Sequence, residues 1–186
     1  MPDSADSLQR GRAADDRPEA YRRVCVALAE AGHPHAPRWL EISARTAQEA
    51  ADALGVAVGQ IAKSVIFRRR SDASAVLVVT SGDRRVDEKK VASLVGAIGR
   101  ADADFVKLQT GFSIGGVSPV AHRNPPVTLI DCELFRFDRI WAAAGHPNAV
   151  FCASPVQLRS LAGAAPVADV TPGELDEALR GFLSDA

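Results

Sequence analysis

The sequence predicts an α/β or α+β domain built on a mixed central sheet, and three observations carry that prediction. Strand-like apolar runs alternate with helical segments that have recognisable caps. One run, residues 76–79, is apolar at every position, as a strand covered on both faces is expected to be. Glycine, proline and aspartate punctuate most junctions between segments.

The elements follow in order. Residues 1–17 are polar and charged and read as a disordered leader, which leaves 18–186 as a single domain. Pro18 suits a first helical turn, and Tyr21, Val24, Cys25 and Leu28 fall on one face of a helix reaching about Ala31. Gly32, Pro34 and Pro37 end it, and residues 39–42 form a short strand candidate. The run Thr46-Ala-Gln-Glu49 is a capping box that opens an alanine-rich helix stopping at Gly55. A small apolar loop at 58–62 leads to Lys63, and strands 64–69 and 75–80 flank a turn at Ser71-Asp72.

After the turn Ser81-Gly82-Asp83, Asp87 caps a helix over 88–95 that Gly96 closes. A short helix near 102–108 precedes a glycine-rich loop at 111–119. A strand at 127–130, a helical or irregular piece at 134–144 and a strand at 149–153 come next. Ser154-Pro155 pairs an N-cap with proline at the first helical position and opens a helix to Leu161. Residues 167–170 form a last strand candidate, and Thr171-Pro172-Gly173-Glu174 reads as a capping box for a C-terminal helix.

Composition narrows the classes of function. The formal net charge is −1, so no global field draws nucleic acid, and any RNA contact must rest on a local basic patch. The cysteines Cys25, Cys132 and Cys152 are odd in number and lack C-x-x-C spacing, which argues against a disulfide framework or a zinc site and fits a reducing cytoplasm. The N-terminus has no apolar signal core. The uncharged stretch 140–158 is broken by Gly145, Pro147 and Pro155, so no membrane span is expected.

Two features carry chemistry. The loop Gly111-Phe-Ser-Ile-Gly-Gly-Val-Ser-Pro119 combines adjacent glycines, which let backbone approach a ligand closely, with a proline that fixes the exit. Such a loop can aim backbone N–H groups at an anion or a developing oxyanion. The second feature is Lys63. Of 22 basic residues only four are lysines, so a lysine retained beside an apolar strand points to a need for a compact, flexible ammonium. A strand-edge lysine that snorkels to solvent is the plainer alternative.

Together, Gln60-Ile-Ala-Lys63-Ser-Val-Ile-Phe67, Ser81-Gly-Asp83, Val86-Asp-Glu-Lys-Lys90 and Gly115-Gly-Val-Ser-Pro119 resemble the YbaK/prolyl-tRNA-synthetase-associated editing domain. The resemblance runs from about residue 20 through nearly the whole chain. It implies a partly barrel-like mixed sheet surrounded by helices and a free-standing enzyme that hydrolyses the ester between a wrong small amino acid and a tRNA, typically a proline tRNA. Lys63 matches the family's essential lysine, and Gly115, Gly116, Val117, Ser118 and Pro119 match its Gly-x-x-x-Pro loop. Ser81 and Gly82 fall in a matching turn, and Asp131 at a recurrent position. No cofactor or metal is implied. The implied partners are the acceptor end of an aminoacyl-tRNA and a prolyl-tRNA synthetase or elongation factor.

On this reading the amides of 115–118 stabilise the oxyanion, Lys63 orients the ester or the terminal phosphate, and Ile61, Phe67, Val117 and Ser118 wall the pocket. Ordinary core packing is the alternative for Ile61 and Phe67, and a turn hydrogen bond for Ser118. A non-catalytic RNA- or nucleotide-binding module, using Arg68-Arg-Arg70 and Arg84-Arg85, stays open as a second function. The histidines His33, His35, His122 and His146 have no acidic partner at ligand spacing. A Ser113 or Ser118 nucleophile lacks the G-x-S-x-G elbow, and Cys152 lacks an adjacent base.

Overall fold

The computed structural model describes residues 16–185, and residues 1–15 of the expected leader lie outside them. Helix α1 (Glu19–Glu30) buries Tyr21, Val24 and Leu28 at the predicted spacing. Strand β1 (Arg38–Trp39) precedes α2 (Ala47–Leu54), whose Thr46–Glu49 capping box and left-handed Gly55 both form. A 3-10 turn (Val58–Gln60) leads into β2 (Ile61–Arg69), which pairs with β3 (Ala75–Ser81). Lys63 therefore lies inside a strand rather than at its head. All seven residues of β3 are buried, as its continuous apolar run requires.

Helix α3 (Glu88–Val95) is capped by Asp87 and is followed by β4 (Ile98–Arg100) and α4 (Ala103–Thr110). Strand β5 (Val127–Asp131) passes directly into a 3-10 turn (Cys132–Arg136). Strands β6 (Ile140–Ala143) and β7 (Ala149–Ala153), helix α5 (Pro155–Leu161), strand β8 (Val167–Ala168) and helix α6 (Glu177–Asp185) complete the chain.

The eight strands form one mixed sheet in the order β1-β7-β6-β2-β3-β5-β8, with β4 attached to the end of β2. The chain is thus an α/β domain with a mixed sheet and helices packed around it. Its largest core cluster joins α1, α4 and α5 to the sheet through Leu28, Phe112, Ile130, Phe151 and Leu158. A second cluster gathers Phe67, Val78, Val91 and Leu129, and a third packs Leu40, Ala50 and Ala51 on Ile61 and Val150.

Three readings of the sequence change. Residues 134–144 split into a 3-10 turn and β6, because register with β2 and β7 overrides the helix preference of an alanine-rich segment. Residues 98–100 form a strand that the glycine at 99 had concealed. The capping box read at 171–174 does not open the last helix; Asp176 does, accepting from the Ala178 and Leu179 amides.

Candidate active site

The sheet divides beside Lys63. On one edge β2 pairs with β3 from Ala62 to Arg68. On the other edge it pairs with β6 at Ile61 and Ala62, and with β4 from Phe67 to Arg69. Residues 63–66 have no strand partner on that second edge. A cavity of about 290 Å³ opens in this gap. Residues 62–65 line one side of it, Ala44–Ala47 and Ala50 a second, Ile114, Gly115 and Val117 a third, and Trp141–Ala143 with His146 a fourth.

Lys63 is half-buried, and its Nζ donates to the Arg84 carbonyl oxygen. Burial pulls its pKa below the ordinary lysine value, while Asp83 and Asp131 push it back up. The plainer reading of a snorkelling surface lysine does not fit this position. Beneath it, Asp131 is fully buried and accepts from Thr80 Oγ1 at 2.7 Å, the Ser81 amide at 3.1 Å and the Glu133 amide at 3.0 Å. Burial raises the Asp131 carboxyl pKa, and these hydrogen bonds oppose the rise. Arg136 bridges Asp83 at 2.8 Å and Glu133 at 2.9 Å, and Arg84 reaches Glu133 at 3.1 Å. The carboxylates below the lysine are thus locked by arginines and hydroxyls.

The glycine loop forms the opposite wall. Gly115 takes φ +90°, which a side chain rarely tolerates, and the Gly116 amide donates to the Ser113 carbonyl at 3.0 Å. That amide is therefore already engaged. The Gly115 and Val117 amides, both in cavity-lining residues, donate to no described residue. A Cβ on Gly116 would lie 2.9 Å from the His146 backbone, so its glycine serves packing of the loop on residues 145–147.

The remaining expected residues fall outside the lining. Ser118 is fully buried, and its Oγ accepts from the Val120 amide at 3.3 Å, a turn contact. Pro119 is buried behind it. Phe67 packs in the second core cluster, four residues along β2 from Lys63. Ser81 and Gly82 do not line the cavity, and a Cβ on Gly82 would fall 2.3 Å from the Val58 carbonyl oxygen. Ile61 and Val117 do line the cavity.

Arg45, Ile114, Trp141 and His146 enter the site without a signal in the sequence strong enough to single them out. Ile114 is exposed at the loop tip, and Arg45 packs beside Gly115. His146 stacks on Trp39 with ring centres 4.8 Å apart, and its Nδ1 accepts from the Asn148 amide at 3.1 Å. This bond places the neutral ring's proton on Nε2. Burial lowers the His146 pKa, so the ring favours that neutral form. Arg17 lies over Trp39, 4.7 Å from its ring centre.

Among the described residues, no group of three or more His, Cys, Asp or Glu is placed to hold a metal ion. None of the described helices is long and apolar enough to cross a membrane.

A half-buried lysine and a glycine loop lining the same cavity, in a gap of a mixed sheet, define an α/β domain suited to an ester or anionic ligand. Comparison with known proteins gives the family: the model of the aminoacyl-tRNA editing domain matches residues 42–161, and the chain belongs to this YbaK-type family. It is 35% identical over 119 residues to the uncharacterized protein YwhH of Bacillus subtilis (strain 168), covering 63% of this chain and 75% of that protein. A solved structure provisionally described as a trans-editing enzyme for prolyl-tRNA synthetase shares 41% identity and a TM-score of 0.78, covering 85% of this chain and 100% of the other. A proline–tRNA ligase of Thermoanaerobacter sp. (strain X514) is 28% identical over 94 residues, which are 48% of this chain and 16% of the ligase. The relatedness to that ligase is thus confined to a small part of it.

Proposed function

We propose that this protein is a trans-editing deacylase that hydrolyses the ester linking a mischarged small amino acid to the 3′ end of a proline tRNA. The observation that carries the reading is the placement of Lys63 across the cavity from the uncommitted amides of Gly115 and Val117. The family match and the prolyl-system relatives support the substrate class.

In this mechanism water adds to the ester carbonyl carbon, and the carbonyl oxygen becomes an oxyanion facing the Gly115 and Val117 amides. Each such donor is worth roughly 3 kcal/mol of transition-state stabilisation. Collapse expels the ribose oxygen, which takes up a proton, and frees the amino acid. The Lys63 ammonium orients the ester or the terminal phosphate. The neighbouring ribose hydroxyl assists the water, as the family resemblance implies, so no strong protein base is needed.

Selection rests on size. One methylene more or less in an apolar pocket is worth about 1–3 kcal/mol. Ile61, Ile114, Val117 and Trp141 supply the apolar walls that set this limit.

The test is hydrolysis of proline tRNA charged in turn with alanine, serine, threonine, cysteine, 2-aminobutyrate and proline, with and without a chelator. Release of one or two small residues, with the prolyl ester spared and the chelator without effect, is expected. Survival of all six esters would refute the proposal.

A further inference from the structure

A second cavity, of about 450 Å³, lies beside the first and shares Trp141 with it. Ile61, Trp141 and Cys152 are successive register partners across β2, β6 and β7, so their side chains stand on one face of the sheet. Ile61 lines the first cavity, Cys152 the second, and Trp141 both. The two cavities are thus neighbours on one surface with an indole at their boundary.

The two arginines around the second cavity are not held by a carboxylate among the described residues. Arg23, Arg69, Arg84 and Arg136 are each held by a carboxylate. Arg38 and Arg139, which line the second cavity, make no side-chain hydrogen bond or ion pair with a described residue, although Asp138 stands in the same lining. Two arginines without a carboxylate partner among the described residues, beside a half-buried tryptophan that lines the cavity, suit a phosphodiester with a stacked base. A carboxylate in the same wall suits the exocyclic amino group of a cytosine.

We propose that this second cavity is a subsite for the single-stranded RNA that precedes the esterified adenosine, with Arg38 and Arg139 on its phosphates, Trp141 as the stacking platform and Asp138 on a base edge. The inference rests on the deacylase reading for the occupant of the first cavity. It supplies a grip on the RNA strand without requiring the protein as a whole to be basic.

The experiment measures the affinity of an unacylated single-stranded RNA oligonucleotide ending in cytidine, cytidine and adenosine, by fluorescence anisotropy over a range of salt. Wild type is compared with Arg38→Ala/Arg139→Ala, two exposed positions whose loss leaves the core intact. The double variant is expected to bind at least tenfold more weakly. Its log–log salt dependence should be shallower by about 1.4, which is about 0.7 for each lost phosphate contact on a single strand. A parallel arm compares hydrolysis of an aminoacyl oligonucleotide with that of an aminoacyl-adenosine, which reaches the first cavity alone; the double variant is expected to lose the advantage of the longer ester. No measurable binding by wild type, an unchanged salt slope, or equal losses on long and short esters would overturn the subsite. Failure of wild type to hydrolyse either ester, with oligonucleotide binding still lost in the variant, would remove the deacylase reading and leave the RNA subsite standing.

Discussion

Lys63 stands directly opposite Thr80 in the antiparallel β2–β3 ladder, and the Thr80 hydroxyl donates a hydrogen bond to Asp131 on the adjoining strand. One hydroxyl thus links the face that carries the lysine to a buried carboxylate. The arrangement keeps negative charge near a half-buried ammonium without letting a carboxylate seize it. The lysine instead bonds a carbonyl, and its charge stays available to a ligand.

Removing that hydroxyl is expected to cost stability and positioning together. Thr80→Val keeps the shape and leaves Asp131 short of one donor in a fully buried site. The loss should be about 1–3 kcal/mol. Denaturant titration checks the stability, and Thr80→Ser should restore most of it. A neutral Thr80→Val would show that the link carries no weight.

Gly116 makes a separate prediction about the loop. A Cβ there meets the His146 backbone at 2.9–3.0 Å, and backbone cannot swing aside like the end of a side chain. Gly116→Ala is expected to destabilise by about 1–3 kcal/mol and to lower hydrolysis more than tenfold by pushing the loop from the cavity wall. Gly163→Ala is the control, since its Cβ meets nothing within 4 Å and it lies outside the lining. Its cost should be limited to the left-handed backbone, about 1 kcal/mol, with hydrolysis retained.

His122 sets an acid limit on stability. Burial drives its pKa from the ordinary 6.5 down to about 4, against a carbonyl of Ser118 that favours the charged form. Its Nε2 is buried without a hydrogen-bond partner. Between these two pH values the unfolded chain binds a proton that the folded protein refuses. Stability from this group is therefore full above about pH 6.5 and declines as pH falls toward 4, by at most about 3 kcal/mol. Denaturant melts from pH 7 to 4 should show this slope in wild type and a flatter one in His122→Phe. Equal slopes would assign the acid sensitivity elsewhere.

The legible parts of this sequence were those fixed by local chemistry. The caps at Thr46, Asp87 and Ser154 satisfy helix-end donors with residues a few positions away, and all three formed as read. The apolar run of β3 identified the sheet's centre. Lys63 stood out because arginine is the usual cation of this chain. What stayed hidden depends on distant partners. Strand β6 exists because β2 and β7 flank it, and the cavity exists because β6 leaves β2 after Ala62. His146 did not stand out among the histidines because the tryptophan it stacks on lies far away in sequence. Phe67 and Lys63 share one face of β2 by alternation, yet the sheet carries Phe67 into a separate core cluster. The Thr171–Glu174 pattern had the residues of a capping box without a helix to receive them.

The central claim is that Lys63 acts on substrate and is not a structural cation. Removing it forfeits one hydrogen bond to the Arg84 carbonyl, a cost on the order of 1–2 kcal/mol that a folded domain survives. The direct measurement is single-turnover hydrolysis of alanyl-tRNA(Pro), or whichever small-residue ester wild type prefers, by wild type and Lys63→Ala at matched folded concentration. The account predicts at least a hundredfold slower release by a variant whose thermal melt remains cooperative. Wild-type rates in a folded Lys63→Ala protein would contradict it.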